Sequence, residues 1–214
     1  MHCSVDIDDR TRIDLASINT GLDRAKERGE VVEIFTHTPG VTVSMAKIEG
    51  VLAGAVERGL TFYSYTDLAG DPPQGPGIAF SFDDWHVTQW LEMRPLLMQY
   101  NAKLTFFVAK YADLQDSERA GIAQLAADGH DIEAHSAEHM RAADYVEERG
   151  LDSYVQDEAD PSITRLIADG YTISTYAYPF GSRTDEIDNA MFKRVKQLRG
   201  ITWTWSGVSD PCPF

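Results

Sequence analysis

The fold class this chain predicts is α/β with a mainly parallel sheet, in the form of an irregular (β/α) barrel of about seven strands. Three observations lead there. Apolar, β-branched and aromatic runs at residues 31–36, 61–65, 78–83, 104–108, 131–135, 172–178 and 201–205 alternate with helical stretches at 14–28, 44–58, 87–100, 116–128, 142–168 and 185–198. Such alternation implies parallel strands covered by helices. A length of 214 residues suits one domain with a full core, spanning 1–214 with no repeat or low-complexity tract. The unusual polar residues also fall at the C-terminal ends of strands, where parallel sheets gather their sites. An open doubly wound sheet is the alternative arrangement.

Taken in order, the helices carry their own stop signals. Arg28-Gly29, Arg58-Gly59, Asp128-Gly129 and Asp169-Gly170 each put glycine where a left-handed C-cap residue is wanted. Ser44 and Asp116 are the expected N-caps. The 142–168 stretch reads as a bent helical pair. The connection from Thr66 to Gly77 is too short and too rich in proline and glycine for a crossover helix. The 61–65 strand is therefore expected at the periphery.

Net charge is −15, with 43% hydrophobic and 25% charged residues. The charge excludes nucleic acid and anionic membrane surfaces as partners, since both need basic patches. It leaves neutral or cationic polymers open. No apolar run reaches the roughly 20 residues of a membrane span, and the acidic N-terminus lacks a signal-peptide core. The chain is expected in the cytoplasm or as a processed extracytoplasmic form; oligomeric state is not legible. Cys3 and Cys212 are too few for a disulfide framework, and nothing sets their distance, so they are read as free thiols, with pairing as the alternative if the fold brings the two ends together.

Four strand ends carry the candidate chemistry: His37 after 31–36, Asp83-Asp84 after 78–83, His135 after 131–135, and Tyr178-Pro179-Phe180-Gly181 after 172–178. His135 and His139 stand four apart, so a helix beginning there would put both imidazoles on one face, as in many zinc sites. One carboxylate with two histidines leaves coordination positions open for water or substrate, and the same set suits non-haem Fe(II). Glu138 is next to the second histidine rather than in the H-E-x-x-H place, so a zinc-protease base is absent. Only one aspartate need bind metal, because adjacent strand-end residues point apart, which leaves the other free to act as a base. A bland role for Asp84 is capping a helix that starts near Val87. His130 is expected to pack beneath the site, and Trp85, His86, Tyr178, Trp203 and Trp205 are possible substrate contacts, with stacking on sugar faces weighed against a core role for the aromatics.

Ser81-Phe82-Asp83-Asp84 resembles the T-F-D-D motif of NodB-type polysaccharide deacetylases, carbohydrate esterase family 4. Residues 129–139 resemble that family's G-H-E-I-x-x-H-[ST]-x-x-H, residues 176–181 its R-x-P-[YF]-G, and Phe35-Thr36-His37 its L-x-H. The last motif precedes the first here, an order similar to circularly permuted members. The resemblance implies a NodB-like barrel and a divalent metal, zinc first with cobalt, nickel or Fe(II) as alternatives, held by Asp84, His135 and His139. It implies Asp83 as general base, His37 as general acid and the Phe180 backbone N–H as oxyanion donor. The implied reaction is removal of N-acetyl groups from an acetylated amino-sugar polysaccharide, with a small amide or imide as the alternative substrate, or an inactive carbohydrate-binding module; an iron oxygenase is more distant. Ala177 departs from the pattern, since the family's arginine there orients the base. Arg183 and Arg199 are the candidate substitutes, and the sequence places neither. The tryptophan-bearing motif has only Trp203 or Trp205 as stand-ins.

Overall fold

The structure, a computed structural model, describes residues 1–202 and 205. Its strands are β1 (His2–Asp6), β2 (Val31–Thr36), β3 (Thr61–Phe62), β4 (Gly77–Asp84), β5 (Thr105–Val108), β6 (Asp131–Ala134), β7 (Thr175–Ala177) and β8 (Gln197–Thr202). All pair in parallel, and seven of them close a barrel in the order β1-β2-β4-β5-β6-β7-β8 and back to β1. As expected, the strand at Thr61 is peripheral: β3 pairs with β4 alone, at Gly77 and Ile78.

Around the barrel run α1 (Leu15–Arg28), α2 (Met45–Arg58), α3 (Tyr65–Leu68), α4 (Val87–Glu92), α5 (Arg94–Gln99), α6 (Asp116–Ala127), α7 (Ala142–Arg149), α8 (Leu151–Tyr154), α9 (Asp160–Ala168) and α10 (Asp185–Met191). The glycines at 29, 59, 129 and 170 all take positive φ, as their capping role requires. Ser44 caps α2 by accepting from the Lys47 N–H, whereas α6 is capped by Gln115 rather than Asp116. The 87–100 stretch divides at Met93 ahead of Pro95. The bent 142–168 stretch contains a π-helical turn, Val155–Ala159, ahead of Pro161. Pro161 has no N–H to offer the turn before it, which favours such a departure from α geometry.

Three expectations are corrected. The first strand, β1, lies in a stretch that reads as an acidic terminus. Its alternation is inverted: His2, Ser4 and Asp6 face the lumen while Cys3, Val5 and Ile7 face the helices. The last strand begins at Gln197 rather than Ile201, because α10 stops at Met191 and both Lys196 and Gln197 donate their N–H groups to the Ser174 carbonyl. Cys3 is not a free thiol. β1 and β8 are neighbours, with Cys3 opposite Gly200; Cys212 lies outside the described residues. Among the described residues no helix is long and apolar enough to cross a membrane.

Two hydrophobic clusters divide the core. The larger fills the space between strands and helices, with Phe80, Phe82, Phe106 and Trp90 fully buried. The smaller joins Val31, Ala79, Phe107 and Ala177 from four strands with Tyr65 and Leu68 of α3, and so lies inside the barrel. α3 plugs the lower end of the lumen: the Tyr65 hydroxyl donates to Glu33 at 2.7 Å and meets Ser4 at 3.0 Å, while Thr66 donates to Asp131. Above that plug the inward positions are mostly polar.

Trp90 links the outer core to the upper rim. Its indole N–H donates to the His37 carbonyl at 3.0 Å while its ring packs on Phe106. Trp90→Phe leaves that carbonyl without its donor and opens a void. It is expected to lower unfolding stability by about 2–4 kcal/mol, measured by urea denaturation.

Candidate active site

The upper ends of the strands open into one cavity of about 600 Å³. Asp83, Asp84, His135, His139, His37, His86, Tyr178 and Phe180 all line it, together with Asp8 and Arg199. Strand ends from widely separated parts of the chain thus meet at one mouth.

Asp83 and Asp84 end β4 and separate sharply. Asp83 points into the lumen and is 2% exposed. Asp84 turns into a left-handed conformation, φ 86°, which swings its carboxylate towards the mouth. The capping role for Asp84 is ruled out, because α4 is preceded by His86 and has no side-chain cap. Asp84 forms a group with His135 and His139 whose donor atoms all lie within 4.8 Å of one another. His139 Nε2 is 3.0 Å and His135 Nε2 3.7 Å from Asp84 Oδ1. Yet Asp84 Oδ1 is buried without a hydrogen-bond partner among the described residues. Close nitrogen–oxygen approaches without hydrogen-bond geometry are what a shared cation would resolve.

The tautomers agree with this. His135 Nδ1 lies 2.9 Å from the Ala177 carbonyl, which can only accept, so Nδ1 carries the hydrogen and Nε2 presents a lone pair to Asp84. Burial pushes the His135 imidazole down to about 4, so it is neutral at pH 7. Burial alone would raise the Asp84 carboxyl. His139 and His86 at its oxygens, with the charges of His135 and His37, instead hold it well below the usual range.

The two histidines do not share a helix, which corrects the expectation drawn from their spacing. The chain after β6 makes a tight loop in which Ser136 and His139 have φ 77° and 63°. Such conformations are strained for residues with a Cβ and persist where surroundings enforce them. Here the enforcing group is Glu158, on the π turn and 1% exposed. Its carboxylate accepts from the Ser136 hydroxyl and from the Glu138 N–H at 3.0 Å, and Ser136 Oγ in turn accepts from the His139 N–H.

His37 stands across the mouth. Its Nδ1 contacts Asp8 Oδ2 at 2.8 Å, which leaves Nε2 for the cavity. Asp8 is 1% exposed and also accepts from the Thr36 and Thr42 hydroxyls. Burial by itself would lower the His37 imidazole. The Asp8 hydrogen bond and the negative charges of Asp83, Asp8 and Asp84 outweigh it and raise His37 to about 9. Asp6, Asp8 and His37 form a second close group, whose internal hydrogen bonds already account for it.

Arg199 on β8 donates through Nη2 to Asp83 Oδ2 in the lumen, and Ala177 is its register partner on β7. Arg183 is engaged elsewhere, on Asp188 at 2.6 Å.

Phe180 has φ 58° and sits at the rim, with its ring 4.8 Å from that of His139 and under the Arg141 guanidinium. Trp85 meets His139 edge-on at 5.5 Å, and the Lys110 ammonium lies 4.5 Å from the Trp85 ring centre. Tyr178 is fully buried and forms cavity wall rather than an open stacking face. Trp205 is not at the mouth: its ring packs on Gly21 of α1, because β8 ends at Thr202 and leaves it beyond the strand. Trp203 lies outside the described residues. His130 sits below, accepting from the Leu104 N–H and packed edge-on against Phe106.

Asp8 and Glu158 escaped the sequence reading. The alternation Val5-Asp6-Ile7-Asp8 was the available signal for the first; nothing local marks the second. Glu158→Ala removes a buried charged acceptor worth about 1.5–3 kcal/mol. Amide exchange at Glu138 and His139 is therefore expected to accelerate roughly ten- to a hundredfold, read by hydrogen–deuterium exchange.

A family model described as polysaccharide deacetylase matches residues 70–197. Three solved structures share the fold. IcaB from Ammonifex degensii has TM-score 0.63 and 15% identity, over 78% of this chain and 81% of that one. The BpsB deacetylase domain from Bordetella bronchiseptica has TM-score 0.54 and 13% identity, over 71% and 82%. A de-N-acetylase from Aggregatibacter actinomycetemcomitans has TM-score 0.54 and 14% identity, over 75% and 84%. No curated protein sequence matches.

Proposed function

This chain belongs to the polysaccharide deacetylase family, and from that premise we propose that it is a metal-dependent hydrolase removing N-acetyl groups from an acetylated amino-sugar polysaccharide. The observation that carries the reading is the convergence of Asp84, His135 and His139 on one cavity that also holds Asp83 and His37. Two imidazole nitrogens and one carboxylate suit a divalent cation, zinc first, with open coordination positions. Bound there, it would supply Lewis-acid polarisation of the acyl carbonyl and acidify a nearby water.

The chain's own residues divide the remaining work. Asp83 Oδ1 has no hydrogen-bond partner among the described residues, so it is free to take a proton from the attacking water as general base. The water oxygen bonds to the acyl carbon and the carbon–nitrogen bond breaks. His37 Nε2, opposite, donates a proton to the departing amine, giving acetate and a free amino sugar. The Phe180 N–H, aimed by its left-handed backbone, is the proposed donor to the carbonyl oxygen as it becomes negative. Trp85 and His86 at the rim are proposed substrate contacts. A net charge of −15 fits a neutral glycan that gains cationic amines as it is processed.

The reading is tested by acetate release from N-acetylglucosamine oligomers. Asp83→Asn is expected to lower kcat by at least about a hundredfold, and a chelator to abolish turnover until metal is restored. Absence of hydrolysis across acetylated glycans and small amides by the metal-loaded chain would refute it.

The second test is pH dependence. A general acid works while protonated, so the rate should fall on the alkaline side as pH rises through the His37 value. Asp8→Asn removes the carboxylate that holds the proton on His37, so its pKa must fall and the alkaline limb must move to lower pH, by about one unit or more. Cation charge at the Asp84 group is common to both proteins and leaves the difference intact. Identical alkaline limbs for kcat would remove His37 as the acid.

A further inference from the structure

We propose that Arg199 is the positioning residue for Asp83, carrying on β8 the task that the Ala177 position on β7 cannot perform here; this rests on the hydrolase reading above. Three observations carry it. Arg199 is 1% exposed inside the barrel, and its Nη2 donates to Asp83 Oδ2, while Asp83 Oδ1 has no partner among the described residues. One carboxylate oxygen is thereby tied down and the other is left for the reacting water. The guanidinium itself is clamped, with its central carbon 4.7 Å from the Phe35 ring centre and 5.0 Å from that of Phe107. A delocalised guanidinium, more weakly hydrated than an ammonium, suits a place between two aromatic rings. Finally, Ala177 and Arg199 are register partners, and both point inward. A long side chain from either position delivers its head group to the same part of the lumen.

The alternative is that Arg199 merely neutralises a buried carboxylate and fills space. The two roles separate in kinetics. If Arg199 aims Asp83 at the water, Arg199→Ala lowers kcat on the order of 10–100-fold with KM nearly unchanged. Millimolar guanidinium, entering the space vacated beside the cavity, then restores part of the rate. Arg199→Lys, which keeps the charge, loses rate to a similar degree. The double variant Ala177→Arg/Arg199→Ala, which returns the guanidinium from β7, recovers activity over Arg199→Ala. Because Arg199 acts through Asp83, its loss in an Asp83→Asn background costs little further.

A kcat for Arg199→Ala or Arg199→Lys within twofold of wild type overturns the proposal, as does a full multiplicative loss in the Asp83→Asn background. If Arg199→Ala does not fold, Arg199→Lys carries the same test. Zinc titration of each variant by calorimetry guards against a collapsed site. Positioning is also read without turnover: in a crystal structure of Arg199→Ala the Asp83 carboxylate is expected to leave its present rotamer, and an unmoved carboxylate overturns the inference. A wild-type chain that hydrolyses nothing refutes the hydrolase reading; an active wild type matched by its Arg199 variants refutes this inference alone.

Discussion

A carboxylate cannot sit ionised inside a barrel unless something inside the barrel answers it, and for Asp83 that answer is Arg199. Buried pairs of this kind add little net stability, yet losing one partner strands the other at a cost of several kcal/mol. The pair therefore constrains its surroundings. Arg199 needs flat apolar walls, which Phe35 and Phe107 supply from β2 and β5. Phe35 lies two residues before His37 and packs against its ring at 5.5 Å. With Asp83 held inward, Asp84 has to take a left-handed turn to reach the mouth. Asp83, His37 and the Asp84 group, the proposed base, acid and cation site, thus share one anchor at the centre of the lumen.

Outside that anchor two imidazoles are oriented from behind. His135 is held by the Ala177 carbonyl and His37 by Asp8, in both cases through Nδ1, so both Nε2 atoms face the cavity. Their surroundings differ. Burial keeps His135 neutral, as its proposed ligand role requires, whereas at His37 the Asp8 hydrogen bond and the charges of Asp83, Asp8 and Asp84 outweigh burial and favour the imidazolium, as its proposed acid role requires. Backbone strain at Asp84, Ser136, His139 and Phe180 is concentrated at the same mouth, where Glu158 and the barrel hold it in place.

The residues that could be read from the sequence are those whose chemistry is odd for their position. Paired aspartates at the end of Phe80-Ser81-Phe82, and a histidine closing an apolar strand, stand out against the period-2 pattern. What could not be read depends on partners brought in by tertiary structure. Glu158 lies in an unexceptional helical stretch, and only the π turn aims it at the 136–139 loop. Asp8 follows a strand whose polar face is the buried one, so ordinary hydrophobic periodicity reads β1 as surface. The same inversion misplaces β8, where Gln197 and Arg199 point inward and Leu198 outward. Trp205 failed for a simpler reason: a four-residue offset in the last strand moves it from the mouth to the flank of α1.

The inverted alternation also explains why a motif can be incomplete in sequence and complete in space. In a sheet with one dry face, a polar residue on the wrong strand is an unsatisfied group, so its position is tightly held. Inside a narrow closed barrel, seven strands face one volume, and register partners on adjacent strands point into the same layer. A guanidinium with a long flexible stem can reach a given carboxylate from more than one of them. What must be kept is the arrival of the head group between its aromatic walls, not the strand that sends it. For a charged lumen, then, the test of a missing motif residue is whether the carboxylate it should serve is answered, and Asp83 is.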